Sequence, residues 1–109
     1  MATKYRHLIE DYCAQHEVAV PPGLANGTPQ RYAIIRTHLV PPKLIARTWF
    51  SVADLMYYIE HFLLPELGDS LSQSIRILDF KAGEELAYTG GKRLDRVATF
   101  TATDESTMA

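Results

Sequence analysis

The chain has 109 residues, of which 47% are hydrophobic and 22% charged, and its formal net charge is −2. This length suits one domain and this composition is ordinary for a globular protein, so disorder along the whole chain is excluded. Eleven basic side chains against thirteen acidic ones exclude both a strongly basic nucleic-acid-binding protein and a strongly acidic nucleic-acid mimic.

The sequence shows no signal for export or for insertion into a membrane. Its start, Met-Ala-Thr-Lys-Tyr-Arg, lacks the apolar stretch of a signal peptide. No apolar run approaches the roughly 18 residues of a membrane span. The single cysteine, Cys13, cannot form an internal disulfide, which is typical of a reducing compartment. The sequence therefore predicts a cytoplasmic protein that does not contact a membrane.

The first segment has the periodicity of an amphipathic helix. Five apolar residues fall on one face at helical spacing, namely Tyr5, Leu8, Ile9, Tyr12 and Cys13. Val18 to Val20 can continue as a short extended piece. The Pro- and Gly-rich residues 21–30 then predict a loop, long enough to be considered as a functional segment.

Two segments rich in β-branched and apolar residues, 31–40 and 43–50, predict a β-hairpin closed by a four-residue loop at Pro41-Pro42. This loop pairs Leu39 with Leu44, Thr37 with Ala46, and Ile35 with Thr48. Because side chains alternate between faces, one face is uncharged and is expected to pack on the core: Ala33, Ile35, Thr37, Leu39, Leu44, Ala46, Thr48 and Phe50.

Ser51-Val52-Ala53-Asp54 has the spacing of a capping box and predicts the start of a second helix. Its apolar face is predicted to comprise Val52, Leu55, Met56, Ile59, Phe62 and Leu63. Pro65 is expected to end or kink this helix, because its ring clashes with the carbonyl of His61.

Three further strands are predicted in residues 74–80, 86–89 and 92–100, with a turn at Gly90-Gly91. The order α-β-β-α-β-β-β predicts an α+β fold, in which two helices pack on one face of an antiparallel sheet. We expect a single domain over residues 1–102 and a flexible C-terminal tail over 103–109.

The motifs of common enzyme and metal sites are absent from the sequence. The four histidines are scattered, Gly91-Lys92 lacks the remainder of a phosphate-binding loop, and there is no Gly-x-Ser-x-Gly. We therefore predict no metal, no cofactor and no catalytic residue. Asp79-Phe80-Lys81, with Glu66 upstream, resembles a nuclease pattern in which two carboxylates hold Mg²⁺. An enzymatic or ligand-binding site near Asp79, Lys81, Glu84 and Glu85 is therefore kept as an alternative, although a solvated strand end is favoured.

Two surfaces are candidates for binding a partner. The first is the outer face of the hairpin, where basic and aromatic residues alternate: Tyr32, Arg36, His38, Lys43, Arg47 and Trp49. The second is the far side of the second helix, where Tyr57, His61 and Leu64 lie at helical spacing. Around this helix, residues 48–70 contain four acidic side chains and no Lys or Arg, so the two surfaces could also pair two copies of the chain in a homodimer.

These features predict a non-catalytic protein-interaction module, such as a small accessory, regulatory or inhibitor protein. The first alternative is nucleic-acid binding through the hairpin face, because basic and aromatic side chains together suit phosphates and stacked bases. The net charge ranks this alternative below a protein partner.

Overall fold

The computed structural model describes residues 3–22, 29–90 and 93–100. Its elements in chain order are α1 (Thr3–Gln15), β1 (Tyr32–Arg36), β2 (Lys43–Trp49), α2 (Val52–Tyr58), a π-helical turn (Ile59–Leu63), α3 (Leu64–Leu67), a 3₁₀ turn (Gly68–Ser70), α4 (Leu71–Ser74), β3 (Ile75–Asp79), β4 (Glu84–Gly90) and β5 (Arg93–Thr99). The predicted tail 103–109, most of the predicted loop 21–30 and the second glycine of the Gly90-Gly91 turn lie outside the described residues. Among the residues described, no helix combines the length and the apolar character needed to cross a bilayer.

The five strands form one antiparallel sheet in the order β2-β1-β3-β4-β5. The predicted α+β class and the predicted antiparallel sheet are therefore confirmed. Ala19 forms a single parallel bridge to Lys43 and covers the start of the edge strand β2, as the short extended piece predicted for Val18 to Val20 suggests.

The helices pack on opposite faces of the sheet, which corrects the prediction that they share one face. The stripe of α1 packs with Ala33, Ile35 and Leu78 on one face. The helical segment 52–67 packs on the other face against Tyr32, Ile34 and Ile77. The cause lies in β1, whose first four residues are all buried. A central strand that is apolar on both sides needs a cover on both sides.

The hairpin register also differs from the prediction. Ile35 pairs with Leu44 and Arg36 with Lys43, so six residues connect the strands instead of the predicted four. The ladder ends early because residues 37 and 38 bond elsewhere: Thr37 N–H donates to the carbonyl of Ser74 over 2.9 Å, and His38 Nδ1 lies 3.1 Å from the same oxygen. The observed and predicted registers differ by an even number of residues. The paired residues therefore lie on the faces to which they were assigned.

Segment 52–67 begins as predicted and continues past the predicted break. Ser51 adopts an extended conformation and its hydroxyl accepts the N–H of Asp54 over 3.2 Å, which is the capping interaction. Before Pro65, the N–H of Leu64 donates to the carbonyl of Ile59 in an i→i−5 bond. This wider π turn accommodates a proline that has no N–H to donate, so the helix continues instead of ending.

Candidate functional site

The outer face of the hairpin is covered by segment 52–67 and is not a free surface. Tyr32 and Trp49, the two aromatic residues predicted to lie on it, are only 5% and 4% exposed and belong to the core beneath the helix. The sequence correctly assigned Tyr32 and Trp49 to one face of the hairpin. It could not show that the second helix would fold back over them.

The four basic residues predicted to lie on the outer face of the hairpin do not form one patch. Arg36 makes a bidentate ion pair with Glu66 of α3, with N–O distances of 3.1 and 3.2 Å. His38 lies in the connection and Lys43 is exposed at the start of β2. These three residues are at one end of the hairpin. Arg47 is four residues further along β2, roughly 13 Å from Lys43.

The predicted residues of the second surface are exposed. Tyr57 is 60% exposed and its ring stacks on that of His61 with a centroid separation of 4.1 Å. Leu64 is partly exposed one turn further on. The Arg36–Glu66 ion pair joins the basic hairpin to the acidic helix within one chain. These two charges, which were part of the complementarity that suggested a homodimer, therefore neutralise each other inside the molecule. The homodimer itself stays a prediction.

A surface groove of about 400 Å³ lies where the end of β2 meets α2, and we call it the aromatic groove. It brings together three of the predicted residues, Arg47, Trp49 and Tyr57, which come from both predicted surfaces. The remaining lining residues are Gln30, Thr48, Phe50, Asp54, Tyr58 and Phe62. Phe50 and Phe62 are 73% and 53% exposed, so the groove has apolar side chains at its rim as well as in its wall.

Three rings form a stack that builds the groove wall. Tyr58 lies between Trp49 and Phe62, with centroid distances of 4.9 and 5.0 Å. The guanidinium carbon of Arg47 lies 5.5 Å from the centre of the Tyr58 ring, which is within cation–π range. These contacts join the three rings into one apolar wall with one cation beside it.

The indole Nε1 of Trp49 is the one buried side-chain nitrogen or oxygen for which the described part of the chain provides no hydrogen-bond partner. Native proteins pair the large majority of such groups, and each exception needs an explanation. This exception lies in the wall of the groove.

The carboxylates near the end of β3 are occupied by structural partners. Asp79 is buried, accepts two bonds from Arg31 and also accepts the backbone N–H groups of Lys81 and Ala82 over 3.0 and 3.2 Å. Glu84 pairs with Arg96 and Glu85 with Arg76. No cluster of three or more potential metal-ligating residues occurs within residues 3–22, 29–90 and 93–100. This arrangement gives the alternative site no geometric support.

Cys13 is part of the core under α1. It is 1% exposed, and burial raises the pKa of its thiol to about 11, with Glu10 adding a smaller effect. A thiol with such a pKa is a weak nucleophile at neutral pH.

The sequence missed Phe50, Tyr58 and Phe62 as members of a binding surface. Phe62 was assigned to the buried face by regular α-helical spacing, but it lies in the π turn and is exposed. One signal was available: five of the chain's eleven aromatic residues lie between positions 49 and 62. Such a concentration is typical of interfaces as well as of cores.

Comparisons with models of protein families, with curated proteins and with solved structures give no match to this chain. The chemistry of the groove therefore carries the functional argument.

Proposed function

We propose that this protein is a non-catalytic interaction module that binds a protein partner through the aromatic groove and the adjoining outer face of α2. The observation that carries the proposal is the exposure of three large apolar side chains around one concave site: Phe50, Tyr57 and Phe62. Isolated exposed apolar residues are ordinary, whereas a contiguous set rimming a groove marks an interaction surface.

The residue types support a protein partner. Aromatic residues and arginine are enriched in the energetically important centres of protein interfaces, because they bury a large area with few rotatable bonds. The groove combines five aromatic side chains with Arg47.

Charge argues against nucleic acid as the partner. The groove is lined by one cation, Arg47, and one anion, Asp54. Nucleic-acid affinity depends largely on several Lys or Arg side chains that neutralise phosphates. Arg36 is paired with Glu66 and Arg31 with Asp79, while His38 and Lys43 lie at the far end of the hairpin, so these residues do not supply this charge.

The proposal is tested by affinity capture from a lysate of the source cells, comparing the wild-type bait with two matched variants. Phe62→Glu places a carboxylate at the groove, and Val97→Glu places one at a similarly exposed apolar position on β5. We expect a stoichiometric protein that is retained by Val97→Glu and reduced about tenfold or more by Phe62→Glu, as for loss of an interface hot spot.

Half of each sample is treated with nuclease. A partner captured equally by both variants contradicts the assigned surface. A partner that disappears with nuclease or with moderate salt instead supports nucleic-acid binding.

A further inference from the structure

We propose that the occupant of the aromatic groove is an extended peptide segment of the partner, whose backbone carbonyl accepts a hydrogen bond from the Trp49 indole N–H. This inference rests on the proposed function and specifies the chemistry of the partner. A neighbouring apolar side chain of the peptide packs against Phe62 and Tyr57 at the groove rim.

The Trp49 indole N–H is a buried donor without a partner among the described residues. Leaving a buried donor without a partner costs about 1–3 kcal/mol. Trp49 is 4% exposed, lines the groove, and has no acceptor for Nε1 within the described residues. An incoming acceptor would remove this cost only in the complex, so the indole favours ligands that provide one.

The charge of the groove favours an uncharged acceptor. Arg47 and Asp54 both line the groove and their charges cancel. A carboxylate or phosphate in the groove would be repelled by Asp54 as well as attracted by Arg47. The net electrostatic attraction for an anionic ligand would therefore be small. An uncharged carbonyl suits a neutral site, and the backbone of a peptide supplies carbonyls at regular spacing.

The shape of the groove suits an extended chain. A volume of about 400 Å³ is at the small end of the range for ligand pockets and suits one or two side chains. A second groove of about 300 Å³, bordered by Arg31, Tyr32 and Lys81, lies on the other side of Phe50. Phe50 and Gln30 line both grooves, so an extended chain can pass along the two in succession.

Binding requires a side-chain movement, because Nε1 itself is covered in the free protein. Tyr58 is half-buried, and its ring lies against that of Trp49 with a centroid distance of 4.9 Å. It is the ring that we expect to rotate, and rotation between side-chain rotamers of this kind is a low-energy change.

The test uses a phage-displayed library of random linear peptides, selected on the full chain. We expect peptides with a shared apolar position. Their affinity should fall about tenfold in Phe62→Ala and should be unchanged in Val97→Ala, which truncates an equally exposed apolar residue elsewhere. Trp49→Phe keeps a ring but removes the N–H, and should weaken binding roughly 2- to 10-fold, the loss of one uncharged hydrogen bond.

The wild-type protein provides a second readout that does not depend on the folding of a Trp49 variant. The chain has one tryptophan, so its spectrum of ¹⁵N-labelled protein contains one indole N–H signal. We expect that signal to move downfield when a selected peptide is added, as it would on forming a hydrogen bond.

The outcomes separate the inference from the proposed function. Peptides that lose affinity in Phe62→Ala but bind Trp49→Phe unchanged, with a stationary indole signal, overturn the inference and leave the binding surface intact. A library that yields no binder also overturns it, since an extended-peptide groove must select short peptides. The lysate comparison of Phe62→Glu with Val97→Glu then decides the proposed function independently.

Discussion

Arg31 binds Asp79 through two parallel hydrogen bonds, from Nε to Oδ1 over 3.0 Å and from NH2 to Oδ2 over 2.5 Å. This pair joins the residue before β1 to the last residue of β3. The backbone adds a third link, since Phe80 N–H donates to the Arg31 carbonyl over 2.8 Å. The carboxylate that could have suggested catalysis is thus a structural group that fixes the end of the sheet next to the groove.

We expect Asp79→Ala to lower the free energy of unfolding by about 2–3 kcal/mol, since it leaves Arg31 without its partner and two turn N–H groups unbonded. For a chain of this size the melting temperature should fall on the order of 10–20 °C. Thermal unfolding followed by circular dichroism measures it. Arg96→Ala is the control, since its exposed pair with Glu84 should contribute less than about 1 kcal/mol. Equal losses in the two variants would contradict a structural role for the Arg31–Asp79 pair.

The sequence predicts that Arg36→Glu with Arg47→Glu abolishes partner binding and leaves the melting temperature nearly unchanged. The structure separates the two residues. Arg36→Glu would face Glu66, so we expect a loss of about 1 kcal/mol in stability, recovered by adding Glu66→Arg. Arg47→Glu removes only an exposed cation–π contact and should leave stability within about 1 kcal/mol, while partner binding falls. Binding that depends on Arg36 rather than Arg47 would move the site to the other end of the hairpin.

Stability should decline in alkaline solution, and Cys13 is a principal cause. The pKa of its thiol is raised from an ordinary 9.0 to about 11 by burial, so the folded state holds this proton more tightly than the unfolded state does. The resulting stabilisation is complete below pH 9 and is lost as pH rises towards 11. It amounts to about 2–3 kcal/mol from a shift of this size. Burial also raises the pKa of Tyr12, so the loss of stability continues to higher pH.

Urea unfolding at several pH values measures this effect. Cys13→Ala should be less stable than the wild type at pH 7, because it leaves a small cavity, but should lose less stability between pH 9 and 11. A decline of equal steepness in both proteins would exclude Cys13 as its source.

Pro65→Ala should weaken binding at the groove without unfolding the helix. Alanine restores an N–H that can donate to the carbonyl of His61, so the π turn can convert to regular α-helix. That conversion would turn Phe62 towards the core, and we expect several-fold weaker peptide or partner binding with far-UV circular dichroism unchanged or slightly stronger. Affinity equal to that of wild type would show that the proline does not position Phe62.

Much of the architecture follows from local chemistry that the sequence displays. The stripe from Tyr5 to Cys13, the Ser51 cap and the alternation along 31–50 each depend on neighbours a few residues apart. Such features predict the order of helices and strands, the fold class and the division of the hairpin residues between two faces. They also identify Arg47, Trp49 and Tyr57, although as members of two separate surfaces.

The rest was decided by contacts between distant parts of the chain. A continuous apolar run such as Tyr32 to Ile35 indicates a strand covered on both sides, but it does not state which helix covers which side. Thr37 and His38 contact the carbonyl of Ser74 instead of pairing across the hairpin, and Ser74 is 37 and 36 positions away from them. Phe62, which helical spacing had assigned to the core, lies in the π turn before Pro65 and is exposed. Sequence periodicity determines which residues share a face, because it reflects local backbone geometry. Which of these faces stays exposed to solvent depends on how whole helices and strands pack on one another, and only the tertiary structure determines that packing.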